Sequence, residues 1–384
     1  MRNEWLTFTS EVKKMYEKDF VALHEPTFTD VEVDYVTDCV KSGWVSSVGK
    51  YVERFEKELA EFTGVKRAIA VVNGTAALHV SLKVAGVKAG DEVFMPALTF
   101  VATANAASYL GAVPHFVDVS ENTLGIDPGK LEDHILQIGD YKGDHLINKE
   151  TGRIIRAVVP MHTFGHPVEL DELQAICKKY NLILVEDAAE SLGSYYKGKH
   201  TGSFGKVSAL SFNGNKIITT GGGGAILTND EDIADYAKHI TTTAKIPHRW
   251  VYNHDEVGYN YRLPNINAAL GCAQLEKMQL FIEQKRKITF VYEKLVDDLT
   301  GVRLFKEPEH TKSNYWLQTL ILDHTYNRDE VLDFLNDQGV MSRPIWTPLH
   351  ELKPYSYMPK ADLSTTDNLK NLIINIPSTP VSEG

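Results

Sequence analysis

A chain of 384 residues with 40 Lys and Arg against 51 Asp and Glu carries a formal net charge of -11. That balance excludes nucleic acid and anionic membrane as partners, and the even composition excludes a low-complexity or fibrous chain. Cys39, Cys177 and Cys272 lie far apart with no C-x-x-C or Cys/His cluster, so neither a disulfide framework nor a metal site is expected. The N-terminal "MRNEWLTFTSEVKKMY" lacks an apolar signal core and no stretch reaches spanning length, which points to a cytoplasmic protein.

In chain order, "GWVSSVGKYVERFEKELAEFTG" reads as a loop followed by an amphipathic helix. From residue 60 to about 240, short β-branched runs alternate with helical patterns. "RAIAVV" precedes the helical "GTAALHVSLKVAG", and "DEVFMP" precedes "TFVATANAASYLG". "VPHFVDV", "IRAVVPM" and "ELDELQAICKKYN" continue the pattern up to the apolar strand "LILVED". A polar hairpin, "YYKGKHTG", and the strands "VSALSF" and "GGAILTN" follow. This alternation predicts an α/β fold with a mostly parallel sheet and helices on both faces.

The character changes after "GYNYRLPNINAALG". One long amphipathic helix from Ile266 to Leu299 is expected to lead into a smaller α+β unit. That unit has a strand in "YWLQTLIL", a helix in "RDEVLDFLNDQG" ended by Gly339, and a Pro-rich tail. The expected division is an arm over 1–22, a large domain over 23–262 and a small domain over 263–384.

Ligands on such sheets collect at the carboxyl ends of strands. In "VVNGTAALHV" a strand ends at Val72 and a helix begins near Ala76, so its first N–H groups, Gly74 and the Thr75 hydroxyl suit a phosphate; a plain helix cap fits equally. Neither G-x-x-x-x-G-K-[ST] nor an early G-x-G-x-x-G is present. Glu186 and Asp187 end "LILVED", as ligand acids or as turn formers. In "SFNGNKIITTGGGG", Lys216 is either a surface lysine beside a flexible turn or an amine kept dry in the crevice. An acid for a pyridinium nitrogen, a phosphate cup and a desolvated lysine are what pyridoxal phosphate requires.

With "NGTAAL", "TFVATANA", "EDAAESLG", "SFNGNKIITTGGGG" and "GYNYRLPNINAALG" in this order, the chain resembles the DegT/DnrJ/EryC1/StrS sugar aminotransferases, fold-type I pyridoxal-phosphate enzymes. The resemblance runs from "LHEPTF" to "NIPSTP". It implies that Lys216 bonds to the cofactor aldehyde and that Asp187 pairs with the ring nitrogen. Gly74, Thr75, Ala76 and Ser211 would bind the phosphate, and Phe100 would stack on the ring, a core Phe being the alternative. Asn260 would reach the phosphate held by a neighbouring subunit, making a homodimer with shared active sites. Arg262 would serve the same interface or the substrate's phosphates, with a surface ion pair as the alternative. His162, Arg343 and His350 are the further candidates for the substrate.

Two positions depart from the family pattern. Glu190, expected beside the ring, stands where Gln is common, and "TTGGGG" stands where "TTGEGG" is common. The given sequence ends on "NIPSTPVSEG", where members usually continue into a final helix, which leaves a truncated and a complete C-terminus both open. A lysine at 216, where dehydrating members carry His, implies transamination from an amino acid such as glutamate to a nucleotide-linked 4-keto-6-deoxyhexose. "LHEPTF", "SGWVSSVGKYVERFE" and "MHTFGHP" look most similar to the LegC-type aminotransferases of legionaminic acid synthesis, which implies a UDP- or GDP-linked 2-acetamido-4-keto-2,6-dideoxyhexose. A perosamine- or viosamine-type acceptor without the acetamido group, a fold-type I lyase and a catalytically silent scaffold are the alternatives.

Overall fold

Seven short strands rich in Val, Ile and Ala make the central sheet of the computed structural model, which describes residues 2–381. They are β1 (Arg67–Val71), β2 (Glu92–Pro96), β3 (Val113–Val117), β4 (Ile155–Val158), β5 (Ile183–Asp187), β6 (Val207–Ser211) and β7 (Gly224–Thr228). Across the sheet the order is β1-β7-β6-β5-β4-β2-β3. β2 to β6 pair in parallel, whereas β7 runs antiparallel to both β6 and β1. β1 therefore points with the parallel strands, and six carboxyl ends meet along one edge. This mostly parallel sheet flanked by helices is the fold-type I architecture that the sequence predicts.

Successive strand residues face opposite layers. Ala68 and Ala70 join Phe55, Leu59, Leu210 and Phe212 on one face, while Ile69 and Val71 join Leu78, Ala209 and Ile226 on the other. Both faces are covered, which is why the strands read as unbroken apolar runs. The hairpin expected in "YYKGKHTG" pairs Tyr195 with His200, and its turn residues Lys197 and Gly198 both take positive φ, the geometry a two-residue hairpin turn needs. Among the described residues no helix is long and apolar enough to cross a membrane.

The single helix expected from Ile266 to Leu299 is two, Asn265–Glu276 and Met278–Val296, broken at Lys277 with φ -99° and ψ 2°. The first half packs closely because it is built of small residues. A Cβ on Gly271 would come within 2.8 Å of the Phe55 ring. The second half covers an antiparallel sheet of Val302–Leu304, Gln318–Leu322, Ile373–Ile376 and Arg343–Pro344. Residues 2–16 form a helix whose Trp5, Phe8 and Val12 pack with Tyr292, Leu320 and Ile374 of that unit. The tail then recrosses to the large sheet, where the Leu349 N–H donates to Ala97 O at 2.8 Å and the Ala361 N–H to Phe116 O at 2.8 Å.

Asn314 ties the lobes together. Its amide donates to Glu190 O at 2.9 Å and Leu192 O at 2.8 Å, and its Oδ1 accepts from the Trp316 N–H at 2.8 Å. Gly165 makes room for it: φ is +96°, and a Cβ there would lie 1.8 Å from Asn314 Oδ1. Gly165→Ala should cost about 2–4 kcal/mol through backbone strain and loss of this clamp. Denaturant unfolding of the purified variant checks it, and an unchanged midpoint would refute the clamp.

Candidate active site

A crevice of about 340 Å³ opens at the carboxyl edge, walled below by the strand ends and above by Trp316 and Trp346. Lys216 sits on the turn after β6, where its N–H donates to Asn213 O at 3.0 Å. Its Nζ lies 3.0 Å from Glu190 Oε1 and 3.8 Å from the centroid of the Trp316 ring, with 13% of the side chain exposed. The surface reading of this lysine fails: the amine lines the crevice between a carboxylate and an indole.

Strand alternation separates the two acids that end β5. Glu186 faces away and accepts the N–H groups of Gly202, Phe204 and Gly205 at 2.7, 2.7 and 2.6 Å, fixing the following loop. Burial pushes its pKa up, but His162 and those N–H groups outweigh burial and hold it below the ordinary value. Asp187 faces the crevice. Its carboxylate accepts from Thr103 Oγ1 at 2.7 Å and from the Ala189 N–H at 3.2 Å. Burial raises its pKa despite these bonds and the charge of Lys216.

The phosphate cup follows from sheet register. Gly224 of β7 stands opposite Val71 on one side and Ser211 on the other. A Cβ on Gly224 would lie 2.6 Å from the carbonyl carbon of Asn73, so only glycine lets the turn after β1 cross here. That crossing brings Gly74 so near Ser211 that a Cβ on it would lie 2.7 Å from Ser211 Cβ and 3.0 Å from Oγ, filling the space an anion needs. Asn73 Oδ1 caps the Ala76 N–H at 2.7 Å, which occupies the donor expected of Ala76. Gly74 and Thr75 line the crevice with the first amides of the helix Gly74–Val84, which have no partner within it.

The rest of the glycine run divides by need. Gly221 takes φ +77°, and a Cβ on Gly223 would lie 2.2 Å from Thr220 Oγ1. A Cβ on Gly222 would meet nothing within 4 Å, so the position where the family often carries an acid is free to vary here. Phe100 is no core residue: it is 49% exposed and lines the crevice, its centroid 6.2 Å from that of Trp346. Glu190 bonds Lys216 with one oxygen and accepts the Phe164 N–H at 2.9 Å with the other. Phe164 pays for that bond with φ +56°, a left-handed conformation rare outside glycine. Burial pushes the Glu190 pKa up to about 7, against the opposing pull of Lys216 and the Phe164 N–H.

The structure thus brings together Lys216, Asp187, Glu190, Gly74, Thr75, Ser211 and Phe100 around one crevice. Five other candidates lie elsewhere. His162 is buried, with Nε2 3.1 Å from Glu186 and Nδ1 accepting the Val168 N–H at 3.3 Å, so both ring nitrogens are occupied. Arg262 donates to Asn260 Oδ1 at 3.1 and 3.0 Å, and Asn260 is exposed. Arg343 is exposed beside Asn336 and Ser342 O. His350 Nε2 lies 3.3 Å from Asp367, an acid that Lys370 also pairs. Sequence reasoning missed Thr103, one helical turn beyond Phe100 in "TFVATANA", and the two tryptophans, which no spacing marks.

Comparison with known proteins identifies the family and agrees with the fold. The profile of the DegT/DnrJ/EryC1/StrS aminotransferase family matches residues 26–383. The GDP-perosamine synthase of Escherichia coli O157:H7 is 37% identical, over 94% of each chain. EpsN of Bacillus subtilis, described as a putative pyridoxal phosphate-dependent aminotransferase, is 40% identical over 88% of this chain and 83% of its own. The crystal structure of a DegT DnrJ EryC1 StrS aminotransferase from Brucella abortus superposes with a TM-score of 0.84 at 29% identity, covering 92% of this chain and 91% of that one.

The raised pKa of Glu190 has a signed consequence for stability. Ionising it costs the folded state nothing below its ordinary value of 4.5, and the full penalty is reached above about 7. Glu190→Gln should therefore gain on the native chain as pH rises from 5 to 8, by on the order of 3 kcal/mol. Denaturant titrations of both proteins at the two pH values read this, and a gap independent of pH would refute it.

Proposed function

Because the chain belongs to the DegT/DnrJ/EryC1/StrS aminotransferase family, we propose that it transfers the amino group of glutamate to C4 of a nucleotide-linked 4-keto-6-deoxyhexose. The enzyme is a pyridoxal-phosphate-dependent sugar aminotransferase. One observation carries the residue assignment: the Lys216 amine, the Asp187 carboxylate and the Gly74–Ser211 cup open on one crevice, and the cup closes if Gly74 gains a Cβ.

Bound there, pyridoxal phosphate supplies an electron-accepting ring that carries the amino group from donor to acceptor. Gly74, Thr75 and Ser211 would hold its phosphate, and Asp187, oriented by Thr103 and the Ala189 N–H, would pair with the ring nitrogen. Phe100 would cover the ring. Lys216 Nζ removes the proton at the α-carbon of the amino donor and delivers one at C4 of the sugar. Trp316 and Trp346 keep water from that amine.

The GDP-perosamine synthases among the relatives favour a GDP-linked acceptor without an acetamido group. The 2-acetamido acceptor is the second reading, favoured by "LHEPTF", "SGWVSSVGKYVERFE" and "MHTFGHP". We place the enzyme in the cytoplasm as a homodimer. The exposed Trp250, Tyr252 and Val257, just before Asn260 and Arg262, supply an apolar surface for the second copy.

Lys216→Ala should fold, lose the visible absorbance of bound cofactor and cease amination. Borohydride reduction and peptide mapping of the native enzyme should place the pyridoxyl group on Lys216, and a label on another side chain would overturn the assignment. In a mass-spectrometric screen with glutamate, the GDP-linked 4-keto-6-deoxyhexose should be aminated faster than the UDP- or GDP-linked 2-acetamido sugar. The reverse order would establish the second reading.

A further inference from the structure

Lys285, in the helix Met278–Val296, is the only fully buried lysine among the described residues. Its Nζ donates to Trp316 O at 3.0 Å, to Ser378 Oγ at 3.0 Å and to the Ser378 carbonyl. The Ser378 hydroxyl proton is committed to Tyr315 O at 3.1 Å, so its oxygen can only accept from the lysine. Three acceptors call for three N–H donors, which the ammonium has and the neutral amine lacks. All three partners are neutral. Burial pulls the pKa of Lys285 well below the ordinary lysine value, so holding the proton here is costly.

A methionine would fill the same space without that cost. What the cation gains must be sought in what its acceptors hold. Trp316 donates its indole Nε1–H to Asn215 O at 2.7 Å, on the turn that carries Lys216, and its ring lies 3.8 Å from Lys216 Nζ. Ser378 in turn donates its N–H to Leu23 O at 2.8 Å, setting His24 beside the same group. Neither ring nitrogen of His24 has a partner among the described residues. Burial first, then the charges of Lys285 and Lys216, drives its pKa well below the ordinary value.

We infer that Lys285 is a positioning residue: by clamping the Trp316 and Ser378 backbone it fixes the indole face that holds the Lys216 amine within reach of Glu190. The inference rests on Lys216 being the reactive amine and is independent of which sugar is aminated.

The test uses the full chain labelled with ¹⁵N-tryptophan, cofactor-free and loaded alike, with the Trp316 indole signal assigned by its loss in Trp316→Phe. In Lys285→Met that signal should move and its hydrogen exchange should quicken about tenfold, while the Trp250 signal stays in place. In the loaded variant kcat should fall about tenfold with both KM values within about twofold, and the thermal midpoint should not drop. An unmoved Trp316 signal overturns the inference whatever the activity, and does so even if the acceptor is a different sugar. If Lys285→Met does not fold, Ser378→Ala takes its place. A shift of the Trp316 signal in that variant supports the clamp, and an unmoved one overturns it.

Discussion

The Lys216–Glu190 ion pair, 3.0 Å long and nearly dry, is the constraint around which the molecule is organised. A buried pair of this kind is a poor source of stability, since removing two charges from water costs about what their attraction returns. It persists because neutral groups hold each partner. The strained Phe164 amide fixes one Glu190 oxygen, the Asn314 amide fixes the Glu190 carbonyl, and the Trp316 indole faces the amine. Phe164 belongs to the large lobe, while Asn314 and Trp316 come from one stretch of the small lobe, so the pair has all its supports only where the two lobes meet.

The second organising fact is one of space. Val71, Gly224 and Ser211 lie in register across three neighbouring strands. With glycine in the middle, the turn after β1 drops onto β6 and the first amides of a helix arrive beside a serine hydroxyl. The antiparallel β7 makes this possible. It lets two strands that point the same way sit two places apart, leaving the width of one strand for the crossing. The dipole of the helix and the donors at its first turn then serve the anion.

Most of this was legible in the sequence, and the limits are instructive. The seven strands were readable because burial on both faces makes each an unbroken apolar run between turns. Lys216 was readable because it follows a strand at the ligand edge, and the Glu186–Asp187 pair because it ends one. The break at Lys277 was hidden, since a kink between two helices keeps the helical period of apolar residues. Which of Glu186 and Asp187 faces the crevice depends on strand phase, which the two letters do not carry. Trp316 reaches the site from the clamp at Asn314 and Trp346 from the stretch just before the tail recrosses, long-range events with no local pattern. Conversely, Ala76 fits the phosphate motif by position, yet the Asn73 side chain takes its N–H.

A charge inventory of the crevice then bears on quaternary structure. A nucleotide sugar brings a pyrophosphate to a protein of net charge -11. Within the crevice of one chain the cation is Lys216, already engaged by Glu190 and facing Asp187. Arg343 lies on the small sheet, and Arg262 folds back on Asn260 at the protein surface. The cavity of a single chain thus holds a cup for one phosphate and little to meet two more. The segment of Asn260 and Arg262 presents polar donors outward, behind an exposed apolar stretch at Trp250, Tyr252 and Val257. An apolar surface that seeks burial, next to Arg262, which pairs with no carboxylate among the described residues, is what a second copy would need to complete the site. Dimerisation and anion binding would then draw on one segment, so assembly would set the charge that the substrate meets.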